Sequence, residues 1–209
     1  MIPHYSRIGD GPPLILLHAT LSSSRQLRAL ATRLALRHTV ISVDRRGSGK
    51  SAGEGPAQPI SVDIHVEDLA AIMDAEDLGP AQVVGHSYGG CVALELAARR
   101  PGLVSGVFAY EPPYLLLAPA EGRAHMAEVA RRMLAHKEQG DLEAAALTFM
   151  EGVSGAEAVA ALSPSARARI GRAGQGAVAD ATLSGMDADG LSRIDCPVRI
   201  ATGSASLPL

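Results

Sequence analysis

A serine flanked by glycines stands out in the sequence because its surroundings could make the hydroxyl a nucleophile. The segment from Gly85 to Gly89 (Gly-His-Ser-Tyr-Gly) follows an apolar run and precedes residues with helical spacing. Small residues two places on either side of Ser87 let a strand and a helix approach closely, and the tight turn between them strains the serine backbone. Such a turn would lift the hydroxyl above a sheet, at a helix N-terminus whose dipole favours negative charge. This setting is typical of acyl transfer through a covalent serine intermediate.

Five short apolar runs supply the strands that this turn requires, since strands buried on both faces are nearly continuous in branched aliphatic residues. The predicted strands are Leu14–Leu17, Val40–Val43, Ala81–Val84, Val104–Tyr110 and Val198–Ala201. Between them, apolar residues at helical spacing with capping residues and Gly-Pro stops predict helices. The predicted helices are Leu21–Leu36, which serines could cap, Val62–Leu78 and Gly89–Arg100.

Alternating strands and helices are typical of a doubly wound α/β fold, in which helices cover both faces of a mostly parallel sheet. The alternation stops after Glu111. We interpret residues 1–113 as the N-terminal part of an incomplete core, 114–190 as a helical lid insertion, and 191–209 as a return to the core with one further strand. The apolar residues that characterise the predicted lid are Tyr114, Leu115–Leu117, Met126, Val129, Ala130, Met133, Leu134 and Phe149.

Three motifs, taken in order, resemble the α/β-hydrolase fold family over about residues 5–113. Leu14–Thr20 is a strand that runs into a His-containing loop, Asp44–Ser51 reads Asp-Arg-Arg-Gly-Ser-Gly-Lys-Ser, and Val83–Gly90 holds the serine turn. The family has a His-Gly loop, an Asp-x-Arg-Gly-x-Gly-x-Ser turn and a Gly-His-Ser-x-Gly-Gly turn at these places. Ala19 departs from the pattern, since glycine is usual there, and a positive φ at that position would strain the loop.

The resemblance implies a role for each matching residue. Ser87 would be the acyl nucleophile, and the backbone N–H groups of Thr20 and Tyr88 would form the oxyanion hole. His18 and His86 would be packing residues rather than proton carriers. The implied activity is hydrolysis of a carboxylic ester, lactone or related carbonyl bond, with no metal and no organic cofactor.

The acid and base of such an enzyme follow the serine in the chain. Glu111, at the end of the strand after Ser87, is the candidate orienting acid, and a turn residue in Glu-Pro-Pro is its alternative reading. After Ser87 histidine occurs only at His125 and His136, where a solvated helix surface is the simpler interpretation. Since no histidine follows Val198–Ala201, the sequence predicts a core truncated at its C-terminus that hydrolyses esters slowly or not at all.

The missing histidine is compatible with more than one kind of protein. The chain could be a fragment, a natural variant with a substitute base or an oligomeric partner, or a catalytically silent binding or interaction protein built on the same fold. These alternatives differ in whether Ser87 is activated, because an unassisted hydroxyl does not react with serine-directed reagents.

The composition limits the partners. The chain has 209 residues, of which 47% are hydrophobic and 20% charged, and its net charge of −3 gives no general attraction to nucleic acid or membranes. We interpret the seven basic side chains between residues 25 and 50 as a solvated helix face. Cys91 and Cys196 match no metal or redox spacing and favour a reducing cytoplasm. The expected partners are a small hydrophobic carbonyl substrate and, through an exposed edge at Val198–Ala201, a second copy.

Overall fold

A computed structural model describes residues 2–53, 57–114, 117–182 and 188–204. The strands are β1 (Tyr5–Ile8), β2 (Pro13–Leu17), β3 (Thr39–Val43), β4 (Ala81–His86), β5 (Val104–Tyr110) and β6 (Val198–Ala201). They form a six-stranded sheet in the order β1-β3-β2-β4-β5-β6. β1 is antiparallel to β3, and all other neighbouring strands are parallel. The mostly parallel sheet predicted from the sequence is confirmed.

The helices lie where the strand alternation and the predicted insertion require them. They are α1 (Arg28–Leu34), α2 (Val62–Ala75), α3 (Tyr88–Arg99), α4 (Ala120–Glu138), α5 (Leu142–Ser154), α6 (Ala156–Ala160), α7 (Pro164–Gly171), α8 (Gly174–Ala179) and α9 (Ala188–Leu191). None of the described helices is long and apolar enough to cross a membrane.

Helices cover both faces of the sheet because successive strand residues point to opposite sides. On one face, Ile15 and Val83 belong to the main hydrophobic core, which α2 and α3 complete. On the other face, Leu14 and Leu16 pack with Ala31 of α1. Strand β2 is therefore apolar along its whole length, and the doubly wound interpretation is confirmed.

The first predicted helix is shorter than its sequence pattern indicated. A 3₁₀ turn occupies Ser24–Leu27, α1 follows it, and Leu21 has a positive φ of 60°. Ser23 makes no side-chain cap. Instead, the Asp44 carboxylate accepts a hydrogen bond from the backbone N–H of Ser24 at 2.8 Å. The expectation of a serine cap was wrong because the acceptor comes from the loop after β3.

The residues between β5 and α9 form helices with a hydrophobic core of their own. We call residues 117–182 the helical segment. Met126, Val129 and Met133 are buried in this core, as their predicted stripe requires, with Leu134 packed at its margin. Helix α9 differs, since Leu191 packs against the main core instead. Of the residues assigned to the lid from sequence, Leu115, Leu116 and residues 183–187 lie outside the described residues.

Candidate active site

The turn between β4 and α3 holds Ser87 in a strained conformation. Its φ of 51° and ψ of −125° lie where side-chain-bearing residues are rare. The Ser87 N–H donates to the Tyr110 carbonyl at 2.8 Å, and the Ser87 carbonyl accepts from the Gly90 N–H at 2.7 Å. The turn predicted from the glycine spacing is therefore present, with the serine at its apex.

The two flanking glycines are fixed by close backbone contacts. A Cβ atom on Gly85 would lie 2.2 Å from the Gly89 carbonyl oxygen. A Cβ atom on Gly89 would lie 2.6 Å from the carbonyl oxygens of Leu17 and His18. Because those neighbours are backbone atoms, no side chain can move aside. Helix α3 therefore begins directly after Ser87, and the positive end of its dipole lies at the serine.

Ser87 lines a cavity of about 750 Å³ at the carboxyl ends of the strands. Thr20 enters it after β2, Glu111 after β5 and Gly203 after β6. The helical segment contributes a further set of lining residues, which are Met126, Phe149, Met150, Val153 and Ser154. This volume is ordinary for a small-molecule site, and the mixture of apolar walls with a few polar groups is also typical.

Glu111 is held at the cavity by contacts with the last residue of β6 and with the chain that follows it. Its backbone has a positive φ of 50°. The Glu111 N–H donates to the Ala201 carbonyl at 2.8 Å, and the carboxylate Oε1 accepts from the Gly203 N–H at 3.0 Å. The structure therefore brings the predicted acid and Ser87 to the same cavity.

The two histidines that follow the serine are not part of this cavity. His125 is exposed, and its Nε2 lies 2.8 Å from the Gly152 carbonyl oxygen, which ties α4 to α5. Neither His125 nor His136 lines the cavity. The structure thus places both on the helical segment and outside the cavity. This agrees with their interpretation from sequence as residues of a helix surface.

His86 is the imidazole that does line the cavity, within the described part of the chain. Its ring lies 5.1 Å from the Tyr110 ring, centroid to centroid. Burial lowers the pKa of His86, and the nearby Glu111 carboxylate opposes that effect. His86 therefore lies at the cavity wall with a pKa below its usual value. The packing role that the family pattern implies for this residue does not by itself place it in the cavity.

Of the two residues expected to form an oxyanion hole, Thr20 lines the cavity and Tyr88 does not. Thr20 lines the cavity, and its hydroxyl donates to Asp180 Oδ2 at 2.7 Å. Tyr88 is buried at the first position of α3. Ala19 does not have a positive φ, whereas Leu21 does. The alanine that replaces the usual glycine therefore causes no backbone strain at position 19.

His18 has its ring nitrogens engaged in the loop after β2. Its Nδ1 donates to the Ala19 carbonyl at 2.8 Å, and its Nε2 accepts from the Arg45 N–H at 3.0 Å. Burial, with the Arg45 charge adding to it, lowers the pKa of His18 to about 4. A neutral ring with both nitrogens occupied orients the loop and has no lone pair for Ser87.

Comparison with known proteins decides what kind of fold this site belongs to. A family model described as alpha/beta hydrolase fold matches residues 12–183. The chain belongs to the α/β-hydrolase fold family. One hydrolase-type scaffold therefore holds the serine turn, the Asp44–Ser51 turn and the cavity at the carboxyl ends of the strands.

Individual relatives within the family cover different shares of the chain. Lipase LipV of Mycobacterium tuberculosis is 36% identical over 134 residues, which are 63% of this chain and 48% of LipV. 2-(Acetamidomethylene)succinate hydrolase of Mesorhizobium japonicum is 34% identical over 108 residues, or 51% of this chain and 38% of that enzyme. The structure of an alpha/beta hydrolase from Sphaerobacter thermophilus is 31% identical, with a TM-score of 0.70 over 98% of this chain and 79% of its own. This α/β-hydrolase chain thus spans about half or less of the curated relatives named here.

A buried ion pair beneath the cavity was missed by the sequence analysis. Arg45 is 2% exposed, and its guanidinium donates to Asp180 at 2.5 and 2.8 Å while stacking 4.9 Å from the Tyr88 ring centroid. Burial alone would raise the pKa of Asp180, but the Arg45 charge and hydrogen bonds bring it below its usual value. The interpretation of this basic run as a solvated face was wrong at Arg45. Its partner lies 135 residues away, where no local spacing could indicate it.

The Asp44–Ser51 turn is organised around the Asp44 carboxylate. Besides Ser24, Asp44 accepts a hydrogen bond from the Lys50 N–H at 2.9 Å. Burial would raise the pKa of Asp44, but these backbone donors lower it below its usual value. No group of the described His, Cys, Asp and Glu residues could hold a metal ion, and both cysteines are free thiols.

Proposed function

We propose that this chain hydrolyses a carboxylic ester, lactone or related carbonyl bond through an acyl-Ser87 intermediate. The observation that carries the proposal is the strained Ser87 backbone, which places the hydroxyl in the cavity at the start of α3. Strain at such a position is retained where the surrounding structure and function require it. The helix N-terminus would favour the negative charge that develops on the substrate oxygen.

The proposed reaction has two steps. The Ser87 oxygen bonds to the carbonyl carbon as its proton passes to a substitute base, since neither His125 nor His136 lines the cavity. The carbonyl bond to the leaving group then breaks, and the base returns the proton to that group. Water then adds to the acyl carbon, and release of the acid regenerates the serine. The backbone N–H groups of Thr20 and Tyr88 would bind the oxyanion in both steps. Glu111, anchored by the Gly203 N–H, would be the orienting acid.

The helical segment would act as the lid and select a small hydrophobic substrate. Met126, Phe149, Met150 and Val153 form its apolar contribution to the cavity. The relatives differ in the substrates that their names state, so the acyl group has to be inferred from this cavity. The free thiols Cys91 and Cys196 support a cytoplasmic location.

Fluorophosphonate labelling tests whether Ser87 is activated. We expect covalent labelling of the wild type at Ser87, none of Ser87→Ala, and unchanged labelling of Ser204→Ala, which alters another hydroxyl of the same cavity. Because His125 and His136 lie elsewhere, turnover of p-nitrophenyl acetate should be slow and dependent on Ser87. Labelling that survives in Ser87→Ala would contradict the assignment.

A second candidate is a catalytically silent binding protein on the same fold. The observation in its favour is the position of His125 and His136 outside the cavity. Such a protein would bind ligands in the cavity while Ser87 stays unlabelled by the fluorophosphonate. The labelling experiment therefore separates the two candidates directly.

A further inference from the structure

The charged side chain that lines the Ser87 cavity is acidic. Glu111 is the charged side chain among the described lining residues, which include no lysine or arginine. The stretches outside the described ranges contain no lysine or arginine either. An anionic group that entered the cavity would therefore meet a carboxylate and find no cation of this chain to pair with.

Basic groups near the cavity are already committed to other partners. Arg45 is buried against Asp180 and does not line the cavity. Arg132 on the helical segment pairs with Glu151 at 3.0 Å. Burial lowers the pKa of His86, the lining imidazole, although the Glu111 carboxylate opposes that effect. None of these groups offers a positive charge to a ligand beside Ser87.

The apolar wall adds a second penalty for a charged ligand. Met126, Phe149, Met150 and Val153 make up most of the side formed by the helical segment, and these four side chains donate no hydrogen bond to an ionised group, unlike Ser154 beside them. A carboxylate moved from water to such a surface loses its hydration without replacement. An uncharged acyl chain of similar length gains from the same contact.

We propose that the cavity selects substrates with an uncharged acyl group and excludes those whose acyl group carries a carboxylate, with Glu111 setting the preference. The inference rests on the proposed function in taking this cavity as the substrate site. It does not depend on activation of Ser87, because selection by charge acts on binding before any bond is broken.

Equilibrium binding of two matched amides tests the proposal without turnover. N-methylhexanamide and 6-(methylamino)-6-oxohexanoate share the amide and the chain and differ in a terminal carboxylate. By isothermal titration at about pH 8, where that carboxylate is ionised, the uncharged amide should bind tighter by about tenfold or more. Glu111→Gln keeps an oxygen acceptor for Gly203 and removes the charge, so the preference should fall about fivefold.

Glu138→Gln is the matched control, because it removes the same charge from an exposed position of α4 outside the cavity. The preference should be the same in Glu138→Gln as in the wild type. The proposal is overturned if the anionic amide binds as tightly as the neutral one, if neither binds, or if Glu111→Gln leaves the preference unchanged. Failure of fluorophosphonate labelling would count against the proposed function alone.

Discussion

Arg45 is almost completely removed from water, and its guanidinium gives two hydrogen bonds to an equally buried Asp180 carboxylate. Asp180 also accepts the Thr20 hydroxyl, so one carboxylate joins the helical segment to the loop after β2. A buried ion that loses its partner is strongly destabilising, whereas an exposed pair contributes little. Loss of the Arg45–Asp180 pair should therefore lower the free energy of unfolding.

Asp180→Asn should lower the free energy of unfolding by about 3 kcal/mol or more, because it leaves the Arg45 charge buried without compensation. Urea denaturation measures the change. Glu128→Gln breaks an exposed pair with Arg131 and should give no measurable change. Equal effects of the two substitutions would show that burial of Arg45 does not matter.

A second residue-scale prediction concerns pH. Burial, with the Arg45 charge adding to it, lowers the pKa of His65 to about 3, and its ring packs edge-on against Tyr88 at 5.8 Å. The unfolded chain binds a proton at this histidine below its ordinary pKa of about 6.5, while the folded chain stays neutral. Stability is therefore fully present above about pH 6.5 and is lost progressively as the pH falls toward 3.

His65→Phe should flatten this loss, and the remaining slope should come from other groups whose pKa is lowered in the fold, which include His18 and His86 and, near the acid end of the range, Asp44 and Asp180. The measurement is the free energy of unfolding in urea at several pH values between about 4 and 7. A wild-type stability that does not change over this range would contradict the burial argument.

At the scale of elements, the serine turn depends on the approach of β4, α3 and the end of β2. Gly89→Ala places a methyl group against the carbonyl oxygens of Leu17 and His18, and backbone atoms cannot yield as side chains do. We expect a loss of stability and of Ser87 labelling, measured by thermal unfolding and by the fluorophosphonate. Gly102→Ala has open space around it and should preserve both. A Gly89→Ala protein that labels normally would show that the approach is not needed.

The elements could be predicted from sequence where their signals are local. Strand β5 occupies the predicted Val104–Tyr110, because its own apolar residues mark it, even though Phe108 and Tyr110 are exposed. The predicted helix Leu21–Leu36 was too long, because its start is set by the Asp44 carboxylate rather than by a serine. Similarly, Ser87 could be found from glycine spacing, whereas the pairing of Arg45 with Asp180 joins distant parts of the chain.

At the scale of the whole molecule, β6 forms one edge of the sheet. Ile200 is 57% exposed and Val198 39% exposed, and an edge strand carries backbone groups that can pair with another strand. We propose that two copies associate through this edge. If β6 of one copy pairs antiparallel with β6 of the other, the contact has two-fold symmetry and is closed. Light scattering after size-exclusion chromatography should show a dimer for the wild type and a monomer for Ile200→Lys. Leu36→Lys, at another exposed apolar position, should remain a dimer, and a monomeric wild type would refute the proposal.

The hydrogen bond from the Gly203 N–H to Glu111 joins positions 92 residues apart. Gly203→Pro would remove this donor without changing a strand residue, because proline has no backbone N–H. The Glu111 carboxylate would then have one hydrogen-bond donor fewer, and the position of its charge in the cavity would be less restricted. The loop after β6 therefore influences ligand recognition from a part of the sequence far from both Ser87 and Glu111.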